Sequence, residues 1–314
     1  MPYQLDPDLA AITADAPART LAARDDWRAL RELGNTGLGF IDSLLPEHAE
    51  VVRSDHTITS YDGGEIVVRW YDPSPDRESG EAGAAVVYLH GGGMIMGSVA
   101  GYDRLVAGYA ADSGVPFLSV DYRVAPEHPH PTPVEDSYAA LPWLLEHADE
   151  LRVDPNRVAV MGDSGGGGLA AGVALMARDR GVALARQVLV YPMLDDRTTV
   201  ADPELAPFAA WSFDDNYTGW HALLGDAVGG PDVSPYAAPA RATDLSGLPP
   251  AYVDTGDLDI FCTEGIEYAR RIVATGTNVE LHVHPGCPHG FDRIPGLPVA
   301  ARAFADRLRV LRAL

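Results

Sequence analysis

The chain has 314 residues, 46% of them hydrophobic, which is enough for one large core with or without a small lid. Its formal charge of −22, from 23 basic and 45 acidic residues, repels a phosphate backbone and argues against nucleic acid or anionic membranes as partners. All 23 basic residues are arginine, and the lack of lysine removes P-loop phosphate binding, Schiff-base chemistry and S-x-x-K hydrolysis.

The N-terminal residues Met1-Pro2-Tyr3-Gln4-Leu5-Asp6 lack the positive and apolar regions of a signal peptide. No run approaches the roughly 18 apolar residues of a membrane span, so the expectation is a cytoplasmic protein without stable membrane insertion. Two cysteines, Cys262 and Cys287, do not make a disulfide framework and are expected as free thiols.

Residues 1–48 read as helical and amphipathic, most clearly at 21–30. Residues 56–61 and 65–71, split by Asp62-Gly63-Gly64, predict an antiparallel hairpin. Strands then alternate with helical stretches, at 85–89, 116–120, 157–161, 187–191, 251–254 and 279–283, the pattern of a mostly parallel, helix-covered sheet. About 55 residues between Leu194 and Pro249 break the rhythm. They contain Trp211, Phe213, Tyr217 and Trp220, too long for a simple crossover and too aromatic for a linker. They read as an insertion that joins residues 1–48 as a lid over the carboxyl ends of the strands.

Chemistry-bearing residues fall at strand ends. The strand at 157–161 runs into Gly162-Asp163-Ser164-Gly165-Gly166, followed by the small-residue helical stretch 169–178. A G-x-S-x-G frame between strand and helix displays a serine on a sharp turn, with the helix N-terminus favouring negative charge. The same letters match the G-D-S-G-G of chymotrypsin-like proteases, but there His and Asp precede Ser, and no such helix follows. Upstream, His90-Gly91-Gly92-Gly93 follows the strand at 85–89, so bare backbone N–H groups can approach a carbonyl oxygen, joined by the N–H of Gly165. Downstream, His289 lies beyond its strand in a Pro/Gly loop where a base could reach the serine, whereas His282 and His284 alternate inside the strand. A metal site built from this His/Cys tract has poor tetrahedral spacing. The orienting acid follows the strand at 251–254, where Asp254, Asp257 and Asp259 compete and spacing does not choose.

Five ordered segments resemble the hormone-sensitive-lipase family of bacterial carboxylesterases, from about residue 50 to the C-terminus. They are His90-Gly91-Gly92-Gly93, Asp121-Tyr122-Arg123-Val124-Ala125-Pro126-Glu127-His128-Pro129, Gly162-Asp163-Ser164-Gly165-Gly166-Gly167, Tyr191-Pro192-Met193-Leu194-Asp195 and His289-Gly290-Phe291. The serine turn is similar to the family's GDSAG branch, with Gly165 where alanine is usual. The family's acid loop, D-P-L-R-D-E-G, aligns with residues 259–265 through Glu264 and Gly265, and so selects Asp259.

The resemblance implies an α/β-hydrolase fold with a mostly parallel eight-stranded sheet covered by helices. Residues 49–194 and 249–314 would form the core, and 1–48 with 195–248 a helical cap. Ser164, Asp259 and His289 would be the catalytic triad, with an oxyanion hole from Gly91, Gly92, Gly93 and Gly165. Met94, Trp211 and Phe213 are expected in the substrate pocket, and residues 121–129 as a buttress of the glycine loop. The implied activity is hydrolysis of small-molecule esters of short to medium acids, without cofactor or metal. The same triad would serve an amide, lactone or carbamate hydrolase, and a non-catalytic binding protein on this fold is the rival from another class. A homodimer is left open. A Cys262–Cys287 disulfide, if formed, would tie the acid loop to the base loop.

Overall fold

A computed structural model of the chain describes residues 3–14, 20–74 and 82–314. Two helices, α1 (Pro7–Thr13) and α2 (Trp27–Ser43), precede the hairpin of β1 (Val52–Thr59) and β2 (Glu65–Asp72). The chain continues through β3 (Gly83–Leu89), α3 (Asp103–Ser113), β4 (Phe117–Val120), α4 (Thr132–Glu146), the one-turn α5 (Ala148–Leu151) and β5 (Val153–Asp163). Then follow α6 (Gly165–Asp179), β6 (Arg186–Val190), α7 (Phe213–Leu224), β7 (Ala251–Gly256), α8 (Cys262–Ala274), β8 (Val279–His284) and α9 (Pro298–Arg312). No described helix is long and apolar enough to cross a membrane.

The eight strands form one sheet in the order β1-β2-β4-β3-β5-β6-β7-β8. The pairs β1/β2 and β2/β4 are antiparallel, and all the others are parallel. The central strands are mostly apolar, and buried along most of their length, because both faces are covered. Ala85, Val87, Leu89, Val158 and Val160 enter the core shared with α4 and α6, while the alternating Val86, Tyr88, Ala159 and Met161 enter the core shared with α3 and α9.

The N-terminal reading is corrected at 21–30, and its residues 15–19 lie outside the described ones. Helix α2 does not begin at Leu21, which is exposed, but at Trp27, where the Asp26 carboxylate accepts the Ala29 N–H as an N-cap. Asp25 before it has φ +72°, a left-handed conformation that cannot continue a helix backwards. Glycines at 34, 37 and 39, each costing roughly 0.5–1 kcal/mol relative to alanine in a helix, hide the rest of α2 from propensity.

Helix α2 is fixed by polar contacts on one side. Arg31 donates to the carbonyls of Ile95 and Ala125 and pairs with Glu127, Asn35 accepts the Gly97 N–H, and Asp42 accepts the N–H groups of Arg104 and Leu105 in the first turn of α3. It also packs against α7 of the 195–248 segment. In the core shared by α3 and α9, fully buried Arg307 of α9 pairs with Asp254 at 2.7 Å, pairs also with Asp292, and donates to the Tyr109 hydroxyl. Removing one member of a buried ion network leaves charge without a partner, at a cost of about 3–5 kcal/mol. Arg307→Met is therefore expected to lower the unfolding free energy by about that much in urea titrations, and a loss under about 1 kcal/mol would contradict the role given to the network.

Candidate active site

Strand β5 ends at Asp163 and α6 begins at Gly165, so Ser164 carries the whole reversal between them. Its backbone sits at φ 58°, ψ −123°, a conformation that costs a non-glycine residue about 1–3 kcal/mol. Close packing enforces it: a Cβ on Gly162 would overlap the carbonyl of Gly166, and a Cβ on Gly166 would overlap that of Leu89. The turn is closed by Ser164 N–H donating to Val190 O at 2.9 Å and Met193 N–H donating to Ser164 O at 3.0 Å.

The structure brings together the three residues expected to act as one unit. His289 Nε2 lies 2.9 Å from Ser164 Oγ, and His289 Nδ1 lies 2.7 Å from Asp259 Oδ2. The other Asp259 oxygen accepts the Phe261 N–H at 2.9 Å. Asp259 is buried, and the rings of Tyr191 and Phe261 flank the imidazole in T-shaped contacts with centroids 4.7 and 5.2 Å away. The competing carboxylates are engaged elsewhere. Asp254 holds Arg307, and Asp257 accepts the Gly286 N–H at 2.6 Å, tying the β7 loop to the β8 loop. His282 turns to Glu280 and Asp306, while His284 packs on Phe291.

The glycine loop after β3 lies against the serine turn. Gly92 and Gly93 have φ +119° and +57°, and a Cβ placed on Gly165 would lie only 2.9 Å from both Gly93 N and Met94 N. The space for a methyl group at position 165 is therefore taken by the loop's backbone. A Cβ on Gly91 would overlap the Tyr102 hydroxyl and the Asp163 carboxylate. His90 stacks on Tyr122 with centroids 4.2 Å apart, and its carbonyl accepts the Tyr122 hydroxyl at 2.7 Å. Burial holds the His90 imidazole below its ordinary pKa and hence neutral. Asp121 accepts the Val99 N–H, and Ala125 N–H donates to Met94 O, so the 121–129 segment braces this loop from behind.

A cavity of about 460 Å³ opens over Ser164 and His289. Its walls are the face of α2 formed by Leu30, Leu33, Gly34, Gly37, Leu38 and Ile41, facing Met96, Trp211 and Tyr191. Trp211 lines the cavity and packs on Gly93. Met94 and Phe213 do not line the cavity. Met94 is fully buried in the core beneath the loop, close to Gly168, and Phe213, the first residue of α7, lines a separate crevice with Leu205 and Ile260. Both thiols are free. Burial, helped by nearby Asp259, pushes Cys262 up to about 11, and burial pushes Cys287 up to about 12, so neither is a nucleophile near neutral pH.

Sequence reasoning missed the residues that seat Asp163, next to the serine. Its carboxylate accepts the hydroxyls of Tyr88 and Tyr102 and pairs with the buried Arg293 at 3.4 Å. Tyr88 reads as an ordinary core residue of a buried strand, and nothing in the spacing marks Tyr102 or Arg293 as partners of Asp163. The α2 wall and Met96 were missed as well, because glycines obscured the helix.

The chain matches the family described as alpha/beta hydrolase fold over residues 86–293. It is 38% identical over 286 residues to the carboxylesterase NlhH of Mycobacterium tuberculosis, covering 86% of this chain and 84% of that protein. Ethyl acetate hydrolase of Pseudomonas putida is 35% identical over 77% of this chain and 76% of its own length. Among solved structures, a bacterial heroin esterase superimposes with TM-score 0.89 at 38% identity, covering 99% of this chain and 98% of that one. A hyperthermophilic esterase from the archaeon Pyrobaculum calidifontis gives 0.86 at 34% identity over 100% and 99%. These relatives, on the eight-stranded sheet described above, show that the chain belongs to the hormone-sensitive-lipase branch of the α/β-hydrolases and is a carboxylic ester hydrolase.

Proposed function

We propose that ester cleavage runs through an acyl-enzyme on Ser164, with His289 as general base and then acid, and Asp259 holding the imidazole. The observation that carries this reading is the unbroken chain Ser164 Oγ, His289 Nε2, His289 Nδ1, Asp259 Oδ2, with both links at 2.9 Å or less. As Oγ attacks the ester carbonyl, its proton passes to Nε2, and the imidazolium is stabilised by the buried Asp259 carboxylate. The N–H groups of Gly92, Gly93 and Gly165 take the developing oxyanion at the N-terminus of α6, where unsatisfied amides favour negative charge. Nε2 then protonates the departing alkoxide. Water, deprotonated by the same nitrogen, releases the acid and restores Ser164.

Residues 1–48 and 195–248 act on this reading as a cap, since α2 and Trp211 wall the cavity over Ser164. The apolar wall and the cavity volume suit esters of short to medium acids, within the roughly 300–1,000 Å³ typical of small-molecule sites.

Steady-state and single-turnover assays with p-nitrophenyl butyrate and the matched anilide test the proposal. Wild type is expected to favour the ester and show a p-nitrophenol burst stoichiometric with enzyme. Ser164→Ala is expected to lower kcat at least about 10⁴-fold and abolish the burst, and undiminished hydrolysis would sink the mechanism. Asp259→Asn is expected to cost about 10⁴-fold in kcat, since the amide imposes the wrong imidazole tautomer, while Asp257→Asn does little by comparison. The reverse ranking would overturn the assignment of the acid. Gly165→Ala should push the glycine loop away from the serine turn and lower kcat about 10- to 100-fold with KM little changed; equal or higher kcat would show that the loop accommodates a methyl group.

A further inference from the structure

The apolar face of α2 carries two glycines that point at the cavity, and they differ. A Cβ at Gly34 would overlap the thioether of Met96, so the Met96 side chain fills the space the glycine leaves. At Gly37 a Cβ meets nothing within 4 Å among the described residues, although the residue lines the cavity over Ser164 and His289. The gap at Gly34 is occupied by Met96; the gap at Gly37 is filled by none of the described residues. A glycine inside a helix works against helix propensity, and among the described residues no contact at position 37 requires one.

We propose that Gly37 is a specificity-determining residue, and that the room left by its missing side chain receives the apolar portion of the ester. Leu30, Leu38 and Ile41 on the same face of α2 would flank that portion, with Trp211 and Met96 on the opposite wall. The fixed position of α2 makes this a wall of set shape: Arg31 ties the helix to the carbonyls of Ile95 and Ala125, and Asn35 ties it to the Gly97 N–H. Substrate size is thus read by the helix that is also bonded to the segment just after the glycine loop. The inference rests on the ester-hydrolase assignment and adds to it the part of the substrate that α2 recognises.

The test compares wild type, Gly37→Ala, Gly37→Leu and Gly39→Leu, the last on an exposed position of the same helix where a Cβ also meets nothing within 4 Å among the described residues. Values of kcat/KM are measured for p-nitrophenyl esters from acetate to octanoate and for alkyl butyrates from ethyl to octyl, with thermal unfolding as the check on folding. In at least one series the long-to-short ratio is expected to fall about tenfold or more in Gly37→Leu and by less in Gly37→Ala, with no change in Gly39→Leu. The series that responds identifies which half of the ester lies against α2. Ratios unchanged in both series for a folded Gly37→Leu would overturn the proposal, as would an equal fall in Gly39→Leu. Should the leucine variant not fold, the alanine variant decides by the same ratios. Failure of the wild type to hydrolyse any of these esters would strike the ester reading itself.

Discussion

The backbone of Ser164, held at positive φ between a buried strand and a buried helix, is the constraint on which the rest of the site depends. Neither neighbour can relax it, because Gly162, Gly166 and the Leu89 carbonyl already touch at the limit of packing. The strain is borne by the central sheet: β5 lies between β3 and β6, and the same parallel order that buries it also delivers the glycine loop of β3 to its side. Asp163 is drawn under the turn by two tyrosine hydroxyls and Arg293, which anchors the strand end from below. The hydroxyl of Ser164 is thereby presented to a cavity while its backbone stays locked in the core.

Electrostatics on the other half of the site follow from dividing similar groups among different tasks. Within six residues the chain places Asp254, Asp257 and Asp259, and each meets a different partner: a buried guanidinium, a backbone N–H and an imidazole. The first two fix the ends of β7 and the loop after β8 relative to one another. The third then finds His289 at the right distance. A carboxylate buried beside one imidazole interacts with it far more strongly than it would in water, which is what an imidazolium formed during the reaction requires.

The sheet was legible in the residues because its central strands hold apolar runs ending near glycine, proline or a chemical group and its edge strands are rich in β-branched residues, and each predicted strand is present within a few residues of its reading. The serine turn was legible for a related reason: G-x-S-x-G demands glycine where backbones touch. Choosing among the three aspartates required the family resemblance, since only contacts distinguish them. Helix α2 was half concealed, its start moved by the Asp26 cap and its later turns diluted by three glycines. Met94 and Phe213 were misplaced for want of direction. A residue beside a glycine loop or at the first turn of a helix can face the core as easily as a cavity, and periodicity does not apply to single positions there. The contacts of Asp163 join residues 88, 102, 163 and 293, separations over which sequence carries no signal.

All of these elements converge on one oxygen. Reaction with an alkyl p-nitrophenyl phosphonate, followed by intact-mass measurement and peptide mapping, tests directly whether Ser164 is that nucleophile. A single adduct per chain is expected, on the peptide containing Ser164, with activity lost in proportion. An adduct on another residue, or full activity retained by a chain labelled at Ser164, would contradict it.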